Sequence, residues 1–446
     1  MSAEAINETL DVAVIGAGFG GLAMAQALVD AGIDNYRVFE KADEVGGTWR
    51  ENTYPGAACD VPSHLYSLSF APNPHWTRLF PRQPEIQAHL VELGARFRAR
   101  GVLVFGFRLV DARWDDATAL WTLRAADGRE ARARTLVLAA GGLHVPAWPA
   151  IPGREAFAGP SFHSAQWRHD VALEGRRVVV IGTGASAAQF VPEIAPRVAK
   201  LTVVQRTPAW IWPRPDVAIP AWLRRTLDAV PPLRLALRGA IWLLFEALAS
   251  ALLRPRTAFW ARAIARRHLR RQVPDAALRA QLTPAYPFGC KRLLISSDYY
   301  PALQRPNVEL VTSAIAAIER GGVRLADGRL VEADVLVYGT GFRPMDLLAG
   351  LEIRGRGGRR LADDWRERPE TSYGLAVHGY PNLFFLLGPN TALGHNSVLY
   401  MIESQVRHVI GALAEAKRRG VRALEPRAAA QQRFMTALDA RFPRTA

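Results

Sequence analysis

Cysteine is nearly absent from these 446 residues: Cys59 and Cys290 are the whole supply, and they lie far apart in the chain. A disulfide framework, a Cys-x-x-Cys redox pair and a cysteine-based zinc site are thereby excluded, and no metal is expected. Lysine is scarce as well. Lys41, Lys200, Lys291 and Lys417 stand against 52 arginines, so the formal net charge of +15 is an arginine charge. The arginines run along the whole chain rather than in one stripe interleaved with aromatics, and no nucleic-acid partner is expected. Long apolar runs are also lacking. The best, residues 239–253 (GAIWLLFEALASALL), has 15 residues with Glu246 at its centre, where a span needs about 20. It reads as a buried or cap-like helix, an interfacial patch being the lesser alternative, and membrane association is not expected. The opening MSAEAINETL carries two acids and no base. It lacks the basic head and apolar stretch of a secretory signal, which makes a cytoplasmic location the expectation.

Apolar residues make up 49% of the chain and charged ones 22%, with mean hydropathy near zero. That composition excludes disorder as the main state, and the length exceeds what one core accommodates. The organisation shows in an internal repeat. Residues 12–28 read VAVIGAGFGGLAMAQAL and 178–194 read VVVIGTGASAAQFVPEI. In both, a β-branched run meets a glycine-rich turn and an apolar helical pattern. Gly16, Gly18 and Gly21 form GxGxxG, while Gly182, Gly184 and Ala187 form its GxGxxA variant. The first glycine makes the tight turn, the second lets backbone approach a pyrophosphate, and the third position must be small for helix–strand packing.

A second pair of segments closes each copy. ADGREARARTLVLAAGG (126–141) matches ADGRLVEADVLVYGTG (326–341), an Asp-Gly hairpin signal before a buried parallel strand. The second copy is longer, with the excess in 215–285, rich in Arg, Leu, Ala and Trp at helical spacing. The expected fold class is therefore α/β, with two Rossmann-like dinucleotide-binding domains and a helical insertion at about 215–285 in the second. Residues 1–145 form the first part of one domain, 146–342 the other, and 343–446 return to the first.

The repeat also assigns nucleotides. At position 24 past the first glycine stands Glu40 in copy one and Arg206 in copy two. A carboxylate there accepts from a ribose diol and repels a 2′-phosphate, whereas a guanidinium clamps that phosphate. FAD is expected in the first cradle and NADPH in the second. With no dithiol to receive the electrons, molecular oxygen is the obvious acceptor.

FAGPSFHSAQW (157–167) fits FxGxxxHxxxW through Phe157, Gly159, His163 and Trp167, and GGTWRENTYPGAACD (46–60) carries a Gly-Gly-x-Trp segment running to Tyr-Pro-Gly and Asp. With QRTP (205–208), CKR (290–292), YGTGF (338–342) and GPNTALGHNS (388–397), these segments resemble the type I Baeyer–Villiger monooxygenases, in the family's order over roughly residues 10–415. Trp167 ends a motif that related flavin-containing monooxygenases usually end in Tyr or Phe. Arg168 departs from the Pro or Asp usual after that tryptophan, and the chain is compact for the family.

The resemblance implies that NADPH reduces FAD, that reduced flavin traps oxygen as a C4a-peroxide, and that this peroxide attacks a ketone to give an ester or lactone. Arg292 matches the active-site arginine that steadies the anion, a task for a cation that cannot lose its proton, and Asp60 matches the carboxylate holding it. Gly47, Thr48, Trp49, Asp60 and Tyr66 join Gly16, Gly18, Gly21 and Glu40 around FAD; Ser186, Arg206, Thr207 and Lys291 join Gly182 and Gly184 around NADPH. His163 and Trp167 fall at a link between domains, beside the proline-rich strap 143–153, and read as couplers of domain motion or as a packing pair rather than as a catalytic base. Trp210, Trp212, Leu393 and Asn396 match pocket positions, though the tryptophans read equally as core. The expected substrate is a small ketone or sulfide. The alternative is oxygenation of a soft nitrogen or sulfur, as flavin-containing monooxygenases perform it.

Overall fold

The computed structural model describes residues 8–252, 258–343, 348 and 350–441. The sequence reading of residues 1–7 and the end of the apolar run at Leu253 lie outside them. A mixed sheet with a parallel centre and a second, all-parallel sheet organise the described residues. In the first, Thr9–Ile15 lies between Tyr36–Phe39 and Glu130–Leu138, with Leu103–Val104 beyond one neighbour and Leu383–Phe385 beyond the other. The second runs Val308–Val311, Lys200–Val204, Arg177–Ile181, Val335–Tyr338 and Ser161–His163, every pair parallel.

The repeat is structural down to backbone angles. Gly16 and Gly182 sit at φ +103° and +106°. A Cβ on either would lie 2.6 Å from the Ala139 carbonyl oxygen or 2.5 Å from that of Gly339. Each turn thus touches the end of the strand that closes its own copy, and only glycine allows both the angle and the approach. A Cβ on Gly21 would fall 1.8 Å from the Gly16 oxygen, so helix Phe19–Asp30 starts against the turn. Ala187 is accommodated at the matching place in helix Ala185–Ile194, fully buried.

Strand Glu130–Leu138 shows how burial follows pairing. Its first half alternates, with Ala131 and Ala133 inward and Arg132 and Arg134 outward, where it pairs antiparallel with Leu120–Ala125. Its second half, Thr135 to Leu138, is buried throughout once it enters the parallel sheet. Fully buried side chains such as Val14, Leu22 and Met24 contribute about 1.5–3 kcal/mol each.

The insertion is helical: Ala221–Ala229, Pro231–Leu252, Ala258–Gln272 and Ala276–Gln281. Although it interrupts the second repeat in sequence, its first half docks on the first core, while Leu269 and Leu278 of the last two helices pack on the second. Ile219 N–H donates to Thr77 and Leu79 N–H to Val217, Arg78 Nε meets Asp216 at 2.8 Å, and Asn396 Nδ2 donates to Glu246 at 2.6 Å. Of the two forms expected for the apolar run from Gly239, buried or cap-like, the helix takes the cap-like one. It packs Ile241, Trp242 and Phe245 against the first core and leaves Leu243 and Leu244 more than half exposed, because its polar groups are spent on the protein.

The two connections between the sheets run side by side. Ala147 N–H donates to Gly341 and Arg343 N–H to Val145, with Pro146 facing Phe342.

Candidate functional site

A cleft of about 680 Å³ opens at the carboxyl ends of the first sheet, walled by Gly16, Gly18, Glu40, Gly47, Thr48, Trp49 and Tyr66. Glu40 is 5% exposed. One of its carboxylate oxygens accepts from Ala17 N–H at 2.7 Å and the other from Ala42 N–H at 3.1 Å. The loop therefore holds the carboxylate in one pose at the cleft, with lone pairs left for a diol. Gly47, at φ +53°, stands with its Cα near Gly18: a Cβ there would come 3.1 Å from it. Trp49 Nε1 donates to Tyr66 Oη at 2.9 Å, and burial pushes the Tyr66 phenol well up. The cradle's glycines, its fixed acid and its aromatic wall fit an adenine dinucleotide with a flat ring system.

The second sheet has a groove of about 620 Å³ with Arg206, Thr207 and Lys291 in its wall. Arg206 is exposed and makes no ion pair or hydrogen bond among the described residues. Lys291 Nζ lies 4.8 Å from the Tyr286 ring centroid. A concentration of unpaired positive charge at the end of the second strand, a short distance from the Gly182–Gly184 turn, fits a phosphorylated ribose. Ser186 sits in the first turn of helix Ala185–Ile194, next to Tyr54, whose phenol burial pushes up.

Asp60 and Arg292 meet between these two cradles. Arg292 Nη2 and Nε both donate to Asp60 Oδ2, at 2.6 and 3.1 Å. The negative charge of Asp60 raises the guanidinium pKa above its ordinary value, against the desolvation that lowers it. Arg292 remains about half exposed, so it faces open space while one edge is held. Its neighbour Cys59 is buried and its thiol is pushed up by burial, which leaves it protonated and inert.

Sequence reasoning missed the residues that tie the two halves. Gln189, on the helix of the second cradle, accepts from Tyr54 Oη at 2.9 Å and donates to the Ala58 carbonyl at 2.9 Å. Thr53 Oγ1 and His169 Nε2 are 2.9 Å apart. Nothing in one sequence marks Gln189 as different from any helical glutamine, since its partners are more than a hundred positions away.

The FxGxxxHxxxW segment is a structural joint. Gly159 is required because a Cβ would sit 2.4 Å from the Asp334 oxygen and 2.9 Å from the Phe157 ring. His163 is fully buried. Its Nδ1 accepts from Ala165 N–H at 3.1 Å, and its ring packs on Trp148 and Phe342 of the two crossing connections. Burial lowers its pKa to about 4, so it is neutral, and it lines neither cleft. Trp167 packs on Phe162 and Phe190, and Phe190 in turn on Tyr54. Trp210 and Trp212 lie in a small core with Phe288, their indole N–H groups donating to backbone. Asn396 is buried and committed to Glu246; Leu393 is partly exposed on the same loop.

Residues 14–82 match the NAD(P)-binding Rossmann-like domain family and 119–219 the flavin-binding monooxygenase-like family. A Baeyer–Villiger monooxygenase of Pseudomonas aeruginosa is 45% identical over 97% of this chain and 82% of its own. An oxidized steroid monooxygenase bound to NADP superposes with a TM-score of 0.88 at 32% identity, covering 98% of this chain and 92% of the other. An ε-caprolactone-bound cyclohexanone monooxygenase gives 0.88 at 31%, covering 98% and 93%. With two dinucleotide cradles, an arginine–aspartate pair between them and relatives alike over nearly the full length, the chain belongs to the Baeyer–Villiger monooxygenase family.

Proposed function

We propose that the protein inserts one oxygen atom of O2 beside a ketone carbonyl, converting ketone, O2, NADPH and a proton into ester or lactone, NADP⁺ and water. The observation that carries this reading is the Asp60–Arg292 pair bridging the two halves. FAD and NADPH are the cofactors, and bound FAD supplies the redox chemistry that activates oxygen. Gly16, Gly18, Gly21, Glu40, Gly47, Thr48, Trp49 and Tyr66 hold FAD; Gly182, Gly184, Ser186, Arg206, Thr207 and Lys291 hold NADPH. The domains divide at 145/146 and 342/343, where the connections cross.

Arg292 supplies a permanent positive charge where negative charge builds on oxygen, and Asp60 holds the guanidinium edge so that no reorganisation is needed. The Trp167–Phe190–Tyr54 contacts lead from the joint at Phe157–Trp167 to the loop that carries Asp60. His163 and Trp167 thereby couple the position of the second domain to the reaction centre without exchanging protons.

The test is Arg292→Ala on flavin-loaded enzyme, with ketones and sulfides scored by product mass. Loss of ester formation by about 10²–10³ is expected, with NADPH oxidation retained and released as hydrogen peroxide. Full ketone turnover in the variant would refute the role of Arg292, and sulfoxidation with no ketone accepted even by the parent enzyme would overturn the reading in favour of heteroatom oxygenation.

A further inference from the structure

Helix Pro231–Leu252 has its polarity reversed for a surface helix in water. Its charged side chains are spent on the protein: Arg238 donates to the Ser67 carbonyl and to Glu403, Arg234 donates to the Leu227 carbonyl, and Glu246, at the helix flank, accepts from Asn396. Its outward side chains are apolar, with Leu235, Leu243 and Leu244 each more than half exposed. Trp222 on the preceding helix and Phe259 on the following one are exposed to the same degree. Scattered surface leucines need no explanation, but a concentration of this kind on one subdomain marks a surface that is covered by something.

The charge of the same subdomain says what covers it. From Val217 to Gln272 there are eleven arginines and two acids, Asp228 and Glu246, and Glu246 is already engaged by Asn396. Helix Ala258–Gln272 contains no acid. Its Arg262, Arg266, Arg267, Arg270 and Arg271 share one concave stretch of surface with Phe259, and none of the five has an ion-pair partner among the described residues. Elsewhere on the molecule arginines are commonly paired, as with Arg177, Arg197, Arg324, Arg360 and Arg368. Genome-wide arginine usage accounts for their number, not for the absence of partners here.

We infer that the helical insertion docks the enzyme on an anionic lipid surface, leucines and aromatics entering the headgroup–acyl boundary and the arginine helix lying on the phosphates. An interfacial helix of this type needs an apolar face together with cations, long guanidinium stems reaching past the apolar level to the headgroups. A nucleic-acid backbone would satisfy the arginines and leave the leucines in water. A second copy would cover the leucines but bring two unneutralised arginine faces together. No described helix is long and apolar enough to cross a membrane, so the contact is peripheral and reversible.

The experiment is vesicle flotation of the flavin-loaded enzyme. Binding is expected to mixed phosphatidylcholine–phosphatidylglycerol vesicles and not to phosphatidylcholine alone, and added salt should reverse it. Leu243→Asp/Leu244→Asp is expected to weaken binding at least about tenfold, and Arg266→Glu/Arg270→Glu by roughly fivefold or more per arginine. Flavin content and turnover of a water-soluble ketone are unchanged in both, which shows that the variants fold. Absence of binding to the anionic vesicles at low salt overturns the inference. So does a concentration-dependent dimer abolished by the leucine variant, or binding to DNA that survives the leucine variant while vesicles are ignored.

Discussion

Replacing Arg206 with alanine is expected to erase the preference for NADPH over NADH while leaving the enzyme otherwise intact. The guanidinium is exposed just past strand Lys200–Val204 and has no partner among the described residues. Its removal therefore opens no cavity and strands no buried charge, and surface changes of this sort shift stability by no more than about 0.5 kcal/mol. Everything it contributes is made with the cofactor. A charge-assisted contact to the 2′-phosphate contributes about 1.5–3 kcal/mol, so kcat/KM for NADPH should fall about ten- to 150-fold. NADH, lacking the phosphate, should lose almost nothing. Anaerobic stopped-flow reduction of bound flavin with each cofactor separates binding from hydride transfer. Since the site is open to solvent, KM for NADPH should also rise with ionic strength in the parent enzyme and much less in the variant. Equal losses with both cofactors, or none with either, would refute the assignment of this groove to a 2′-phosphate.

Glu40→Ala removes the acceptor of the Ala17 and Ala42 N–H groups along with the expected ribose contact; the purified protein should carry less flavin and bind FAD at least about tenfold more weakly, and an unchanged visible spectrum with full flavin would contradict this. His163 titrates near 4 in the folded chain because it is buried, against about 6.5 unfolded. The unfolded state therefore gains a proton first as pH falls, and stability present above about pH 6.5 declines toward pH 4 by roughly 3 kcal/mol. His163→Gln should flatten the dependence of Tm on pH across that window, and parallel curves for the two proteins would show that the imidazole is not responsible.

Residues 12–28 and 178–194 were legible as paired cradles because a phosphate turn is a local device. The positive φ at Gly16 or Gly182 and the start of the following helix are written in a few adjacent residues, even though the strand end each turn touches lies far along the chain. The sign difference between Glu40 and Arg206 was legible near the end of each second strand, but the register is not matched: Gly16 N–H donates to Phe39 and Gly182 N–H to Val204, so Glu40 corresponds to the buried Gln205 and Arg206 stands one residue further out. Asp60 and Arg292 were nameable only through resemblance to a family, since 232 positions separate them and composition offers 52 arginines to choose from. Whether the apolar run from Gly239 is buried or cap-like was left open by the sequence, because hydropathy records how apolar a helix is and not which neighbour it meets.

By itself the amino-acid order determined the local parts: two turns, two buried strand patterns, an acid in one cradle and a base in the other. The tertiary structure decided which parts face each other. It laid the insertion across both cores, set Gln189 against Tyr54 and Ala58, closed Arg292 on Asp60, and turned a leucine face outward. Glycine geometry and strand periodicity are set by short-range sterics, whereas contacts between distant segments depend on how two sheets and four insertion helices pack in three dimensions, which no short window of sequence contains.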